Sequence, residues 1–150
     1  MRVRGAPLLL AAVALAGWMT RLAWAAAPRL DGVRGDYVLH CGGCHGIAGD
    51  SGRAAVPRLH GRVGRLLCTD TGRRYATRLP NVAMVRGLDD ARLARLMTFV
   101  LVDLGGAAGG RPYTAAEIAR GRAAPLIGGD LRAESMRVWR DIDRRCPPAA

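Results

Sequence analysis

The run Cys41-Gly42-Gly43-Cys44-His45 constrains this chain more than any other feature. In a helix, thiols three residues apart share one face, a single turn apart. The histidine then lies directly beside the second thiol. Three chemistries use cysteine pairs at this spacing: a redox dithiol, half of a zinc site, and the covalent porphyrin attachment motif C-x-x-C-H. A redox dithiol expects a βαβ setting, and no strand-like alternation surrounds the motif. A zinc site expects a second ligand pair at short spacing, whereas Cys68 and Cys146 stand apart from each other and from the motif. The third chemistry accounts for all three residues. Each thiol adds to one vinyl group of haem, and His45 supplies an imidazole nitrogen to the iron.

The N-terminus supports that reading. Arg2 and Arg4 precede a short apolar stretch, Ala6 to Met19, and Ala23-Trp24-Ala25 is a small-x-small cleavage motif. This is the layout of a secretory signal peptide, with the cut expected after Ala25. The alternative, an uncleaved anchor, meets an apolar core shorter than the ~18 residues a span needs. Bacterial haem attachment takes place outside the cytoplasmic membrane, so an export signal and C-x-x-C-H belong together. Cleavage removes Arg2, Arg4 and Arg21 and leaves residues 26–150, with 20 basic and 12 acidic residues and a formal net charge of +8. It also removes Trp18 and Trp24. The remaining large aromatics are Tyr37, Tyr75, Phe99, Tyr113 and Trp139. A small domain so poor in aromatics needs another source of apolar area. A few hundred Å² of buried porphyrin, at ~25 cal/mol per Å², contributes on the order of 10 kcal/mol.

With these residues in view, the chain resembles the class I monohaem cytochromes c. Gly35 to His40 leads into the motif as that family's first helix does, with Tyr37 four residues before Cys41. A glycine-rich turn, Gly46 to Gly52, follows. Val56-Pro57-Arg58-Leu59-His60-Gly61 is similar to the family's Pro-x-Leu-x-Gly segment. Met84 to Asp90 runs into an apolar helix, like the family's ligand methionine and C-terminal helix. The resemblance covers residues 32–104. It implies an all-α cytochrome c fold around one covalently attached haem, with residues 107–150 as an extra helical extension. It implies domains at 26–106 (haem domain) and 107–150 (extension), after the signal peptide at 1–25. It also implies that the carbonyl of Pro57 accepts a hydrogen bond from His45, fixing the ring and tuning the iron, and that Phe99 packs near Tyr37. The small cytochromes associated with periplasmic quinoprotein dehydrogenases are a further point of similarity.

A second axial ligand must come from elsewhere. Met84 lies in a loop punctuated by Pro80 and Gly87, which can curl over the open haem face. His60, after Pro57, is its rival and would give a bis-histidine site. Met97 falls on the apolar stripe of a helix and reads as core. Met136 reads as packing in the extension, and His40 is tied beside Cys41 on the wrong side. Methionine–histidine ligation raises the reduction potential, which suits an acceptor working downstream of a dehydrogenase.

The remainder reads as helices. Leu93, Leu96, Met97, Val100, Leu101 and Leu104 form one apolar face over residues 90–104, with Asp89 as cap, Leu88 placed to staple against Leu93, and Gly105-Gly106 as stop. Residues 32–44 form the first helix, and residues 62–79 hold a shorter one, with Leu66 and Leu67 inward. Gly105 to Gly110 reads as a flexible linker. Thr114 and Glu117 make a capping box. Asp130 caps a last helix that buries Leu131, Val138 and Ile142, with Trp139 on the same face. The extension either packs onto the haem domain or serves as a docking arm. Cys68 and Cys146 can pair in an oxidising compartment, but sequence does not give their separation.

All 23 basic residues are arginine, so part of the bias reflects genome composition. The remainder suits steering toward an acidic redox partner, an anionic membrane surface, or merely a solvated face. Export argues against nucleic acid as the partner, and the expectation is no stable membrane insertion after signal cleavage. No Ser/His/Asp grouping, phosphate loop or carboxylate pair near the motif points to an enzyme. The expected function is a periplasmic carrier of single electrons between a dehydrogenase-type donor and a downstream acceptor. Two alternatives stand: a haem protein with a labile sixth ligand that binds small molecules or peroxide, and a cytochrome subunit permanently bound to a dehydrogenase.

Overall fold

The computed structural model describes residues 32–50 and 56–146. The signal-peptide reading of residues 1–25, and part of the glycine-rich turn, lie outside them. Every regular element among the described residues is helical. None of these helices is long and apolar enough to cross a membrane.

The first helical path runs through α1 (Gly32–Tyr37), a wider π-helical turn (Val38–Gly42) and α2 (Gly43–His45). Backbone angles stay right-handed through Tyr37 and Gly43, so the path is continuous. It stops at Gly46, whose φ of 76° is one that residues with a side chain rarely adopt. A 3₁₀ helix (Val63–Cys68), α3 (Asp70–Arg78) and the short α4 (Pro80–Ala83) follow. The shorter helix expected within 62–79 is α3, preceded by the separate 3₁₀ turn. Thr69 is extended, and its hydroxyl caps α3 by accepting from the Gly72 amide at 3.0 Å. Leu66 is buried and Leu67 half-buried.

The apolar stripe forms α5 (Asp90–Thr98) and continues as a π-helical segment (Phe99–Leu104). Asp89 caps it by accepting from the Arg92 amide at 2.7 Å. At the change of winding, the Thr98 hydroxyl donates to the Ala94 carbonyl at 2.8 Å, a back-bond that bends helices. α5 crosses α1, with Tyr37 and Phe99 edge to face at 5.8 Å. Asp36, buried, takes a two-pronged grip from Arg92 at 2.6 and 2.8 Å across the same crossing.

Two further helices, α6 (Ala115–Ala123) and α7 (Leu131–Arg145), are the last elements among the described residues. Thr114 and Glu117 cap α6 reciprocally, and Asp130 caps α7 by accepting from the Ala133 amide at 2.9 Å. Tyr113, Ile118, Val138 and Ile142 join the same core as Tyr37, Leu93, Leu96 and Leu101. Leu131, expected inside, is 39% exposed because it opens α7 before that helix reaches the core. Trp139 is partly buried against the core, under the guanidinium groups of Arg62 and Arg65 at 5.4 and 5.9 Å.

The glycines at 105–110 are not a free linker. The Gly64 amide donates to the Gly105 carbonyl at 3.1 Å, and a Cβ at Gly64 would lie 2.5 Å from that oxygen. Only hydrogen fits, because the obstacle is backbone and cannot rotate away. Gly110 closes a turn by donating to Ala107 at 2.8 Å.

Several links hold the extension, two of them to buried or covalent partners. Arg73 on α3 is buried and spends its guanidinium on the extension: Glu117 at 2.6 and 3.1 Å, the Arg111 carbonyl at 2.8 Å and the Pro112 carbonyl at 2.7 Å. The Tyr113 ring lies beneath it at 4.0 Å, and its hydroxyl donates to the Arg73 carbonyl at 3.1 Å. The second link is a disulfide between Cys68 and Cys146, with Cα atoms 6.6 Å apart. Arg65 reinforces it, bonding Asp143 and the Cys146 carbonyl, both at 2.8 Å.

These links give two predictions. Replacing both Cys68 and Cys146 by alanine opens a loop of 78 residues and lowers stability by about 2–4 kcal/mol in denaturant titrations. Glu117→Gln strands the buried Arg73 charge and costs about 3 kcal/mol. Arg73 holds the Glu117 carboxyl well below the usual carboxylate range. Its contribution is complete above the unfolded-state value of ~4.3 and is withdrawn as pH falls through the folded value. Urea midpoints taken from about pH 7 down to about pH 3 fall more steeply for the native chain than for Glu117→Gln.

Candidate functional site

Cys41 and Cys44 are free thiols on the first helical path, Cys41 half-buried and Cys44 exposed. Burial, with Cys44 nearby, pushes the Cys41 thiol up to about 11. A dithiol that works by exchange needs its attacking thiol lowered instead. Cys41 is thus not poised as an attacking thiol at neutral pH.

His45 ends the path. Its Nδ1 lies 3.0 Å from the Pro57 carbonyl. A carbonyl only accepts, so Nδ1 carries the proton and Nε2 keeps its lone pair in the neutral ring. The backbone on both sides is held. The Tyr37 hydroxyl donates to the Gly46 carbonyl at 2.7 Å, fixing the turn after His45. The amides of Leu59 and His60 donate to the Gly49 carbonyl at 2.8 and 3.0 Å, and Leu59 is buried. Together these bonds bring the segment carrying Pro57 back to the motif. Gly49 has φ 75°, and a Cβ there would lie 3.3 Å from that of Leu59.

The structure brings Cys41, Cys44, His45 and Pro57 together. Met84 and His60 sit on separate turns. Met84 follows α4, its amide donating to Pro80 at 3.0 Å, and its side chain is 61% exposed. His60 is exposed on the turn that precedes the 3₁₀ helix, and His40 is exposed beside Cys41. Met97 is buried in the core, and Met136, expected to pack, is 45% exposed. Leu39 and Ile47, either side of the motif, are 79% and 72% exposed. Leaving large apolar side chains in water forgoes their burial energy. Here they lie on either side of the two thiols and leave apolar surface in water. Among the described residues, no three His, Cys, Asp or Glu side chains converge as a chelating group.

Sequence reasoning passed over two supports. Asp36 gave no signal, since Arg92 lies 56 residues away. The role of Gly49 was hidden within a run of glycines. No protein-family model, curated protein or solved structure matches the chain.

Gly49→Ala should cost about 1–2 kcal/mol, since a residue with a side chain is strained at positive φ and Leu59 leaves no slack. Thermal unfolding measures this. A loss below about 0.5 kcal/mol, the scale of an ordinary surface substitution, would show that the segment carrying Pro57 is not anchored there.

Proposed function

We propose that this chain is an exported monohaem c-type cytochrome that carries single electrons between a dehydrogenase-type donor and a downstream acceptor. The observation that carries the reading is the bond from His45 Nδ1 to the Pro57 carbonyl, next to two free thiols one helical turn apart. That bond is a ligand histidine's usual second partner: it sets the tautomer and leaves Nε2 for a metal. The crossing of α1 and α5, with Tyr37 against Phe99, supports the cytochrome c fold that the resemblance implies.

The residues present fit a covalent haem. Cys41 and Cys44 would hold it by thioether bonds, and His45 Nε2 would ligate its iron, with Met84 as the proposed second ligand and His60 as its rival. When bound, the group supplies a one-electron Fe(III)/Fe(II) couple. The protein's own part is positional. Pro57 orients the imidazole, Tyr37 and Gly46 fix the turn that carries it, and Asp36 and Arg92 clamp α1 to α5. Leu39 and Ile47, exposed as they stand, would offer apolar contact to the group once it is bound.

The exposure of Met84 gives specific weight to one competing reading, a ligand-binding or peroxidatic protein with an open sixth position. A permanently bound dehydrogenase subunit is the third reading. Deleting residues 107–150 cannot test it, because Ile118, Val138 and Ile142 belong to the common core.

The deciding experiment is the absorption spectrum of the full chain, expressed with a haem-attachment system, oxidised and reduced. Haem retained after denaturation and lost in Cys41→Ala/Cys44→Ala is expected. So are a low-spin spectrum and a methionine–iron charge-transfer band that Met84→Ala removes and His60→Ala keeps. A high-spin spectrum with free carbon monoxide binding would replace the carrier by the ligand-binding reading. No covalent haem in a competent host would overturn both.

A further inference from the structure

A second feature lies away from the Cys41–His45 motif. α3 and α6 touch where Gly121 meets Thr77; a Cβ on Gly121 would stand 2.6 Å from the Thr77 carbonyl oxygen. Beside that contact is a cavity of about 300 Å³, lined by five arginines (Arg73, Arg74, Arg78, Arg111 and Arg120) and by two carboxylates, Asp70 and Glu117.

The charges there do not balance internally. Glu117 already accepts from Arg73, Arg111 and both the amide and hydroxyl of Thr114. Arg73 is fully engaged in return. Arg78 uses Nε on the Ala124 carbonyl at 2.7 Å, which leaves its terminal nitrogens. Arg74 and Arg120 make no ion pair among the described residues. Arg74 and Arg78 are also four apart on one helix, where like charges repel. Asp70 is the one carboxylate of the lining with no ion pair of its own among the described residues, and it cannot offset Arg74, Arg78 and Arg120 together. Convergence of guanidinium forks on a concave site is the chemistry that recognises carboxylate and phosphate oxygens in pairs.

We propose that this cavity binds a small multivalent oxyanion, bridging α3 to α6 through Arg74, Arg78 and Arg120. The volume suits an anion of pyrophosphate or citrate size, at the lower end of small-molecule sites. Arg73 and Glu117 serve as the rigid floor, already paired and therefore unavailable to the ligand. The anion stabilises the folded chain by mass action and ties the extension more firmly to α3. This site does not depend on the haem reading, and its test uses no haem signal.

The test is isothermal titration of the purified full chain with pyrophosphate and, separately, with citrate. Thermal unfolding is followed in parallel by circular dichroism against sodium chloride at matched ionic strength. One-to-one saturable binding of at least one anion is expected, with a rise in midpoint that matched chloride does not give. Pyrophosphate binding alone assigns phosphate chemistry, and citrate binding alone assigns carboxylate chemistry. Arg74→Gln and Arg120→Gln remove groups that hold no other part of the fold, and each should weaken binding by about tenfold or more. Arg132→Gln, outside the cavity, should leave it unchanged. The proposal is overturned if neither anion saturates, if chloride reproduces the shift in midpoint, or if Arg132→Gln weakens binding as much as the cavity variants.

Discussion

A buried guanidinium must satisfy every donor, and Arg73 does so almost wholly with groups from one stretch of chain. Its partners are Glu117 and the carbonyls of Arg111 and Pro112, while Tyr113 packs on its face. An isolated charge in that position would cost several kcal/mol. The cost disappears only if residues 111–117 are in place. That requirement sets the start of α6, which then delivers Ile118 to the core and Gly121 to α3. The C-terminal extension is thus part of the domain's interior, and the Cys68–Cys146 bond closes the other end of the same structure.

The candidate site follows a similar logic on a smaller scale. One exposed histidine on a flexible turn would sample many orientations. Here Tyr37 holds the turn, Gly49 holds the returning loop, and the Pro57 carbonyl selects which ring nitrogen keeps its proton. The chain commits backbone carbonyls at Gly46, Gly49 and Pro57, together with the Tyr37 hydroxyl, to present Nε2. Such preorganisation suits a ligand to a metal. The two thiols on the same helical path make the proposed haem the group that best fits.

Much of the secondary structure was legible because its causes are local. Asp89, Thr114 with Glu117, and Asp130 cap helices through amides no more than three residues away. The stripe from Leu93 to Leu104 announces its own buried face. Within 62–79 a shorter helix does form, but the extended Thr69 caps it and sets a separate 3₁₀ turn before it. Errors arose where a longer-range partner intervened. The glycines at 105–110 look like a linker in sequence, yet Gly64 docks on Gly105. The π-helical turns at Val38–Gly42 and Phe99–Leu104 left no recognisable periodic signature. At the site, the motif was plain, whereas the Pro57 contact was expected only through resemblance.

The sequence alone determined the spacing of Cys41, Cys44 and His45, the helix caps and the apolar stripe, since each is fixed within one or two turns of chain. Only the tertiary structure decided the His45 tautomer, the Asp36–Arg92 clamp, the Arg73–Glu117 weld and the pairing of Cys68 with Cys146. Those partners are separated by 12 to 78 residues. Closing such loops is entropically unfavourable until many contacts form together. No single pair in the sequence specifies its own meeting, and the shared core supplies the cooperation that does.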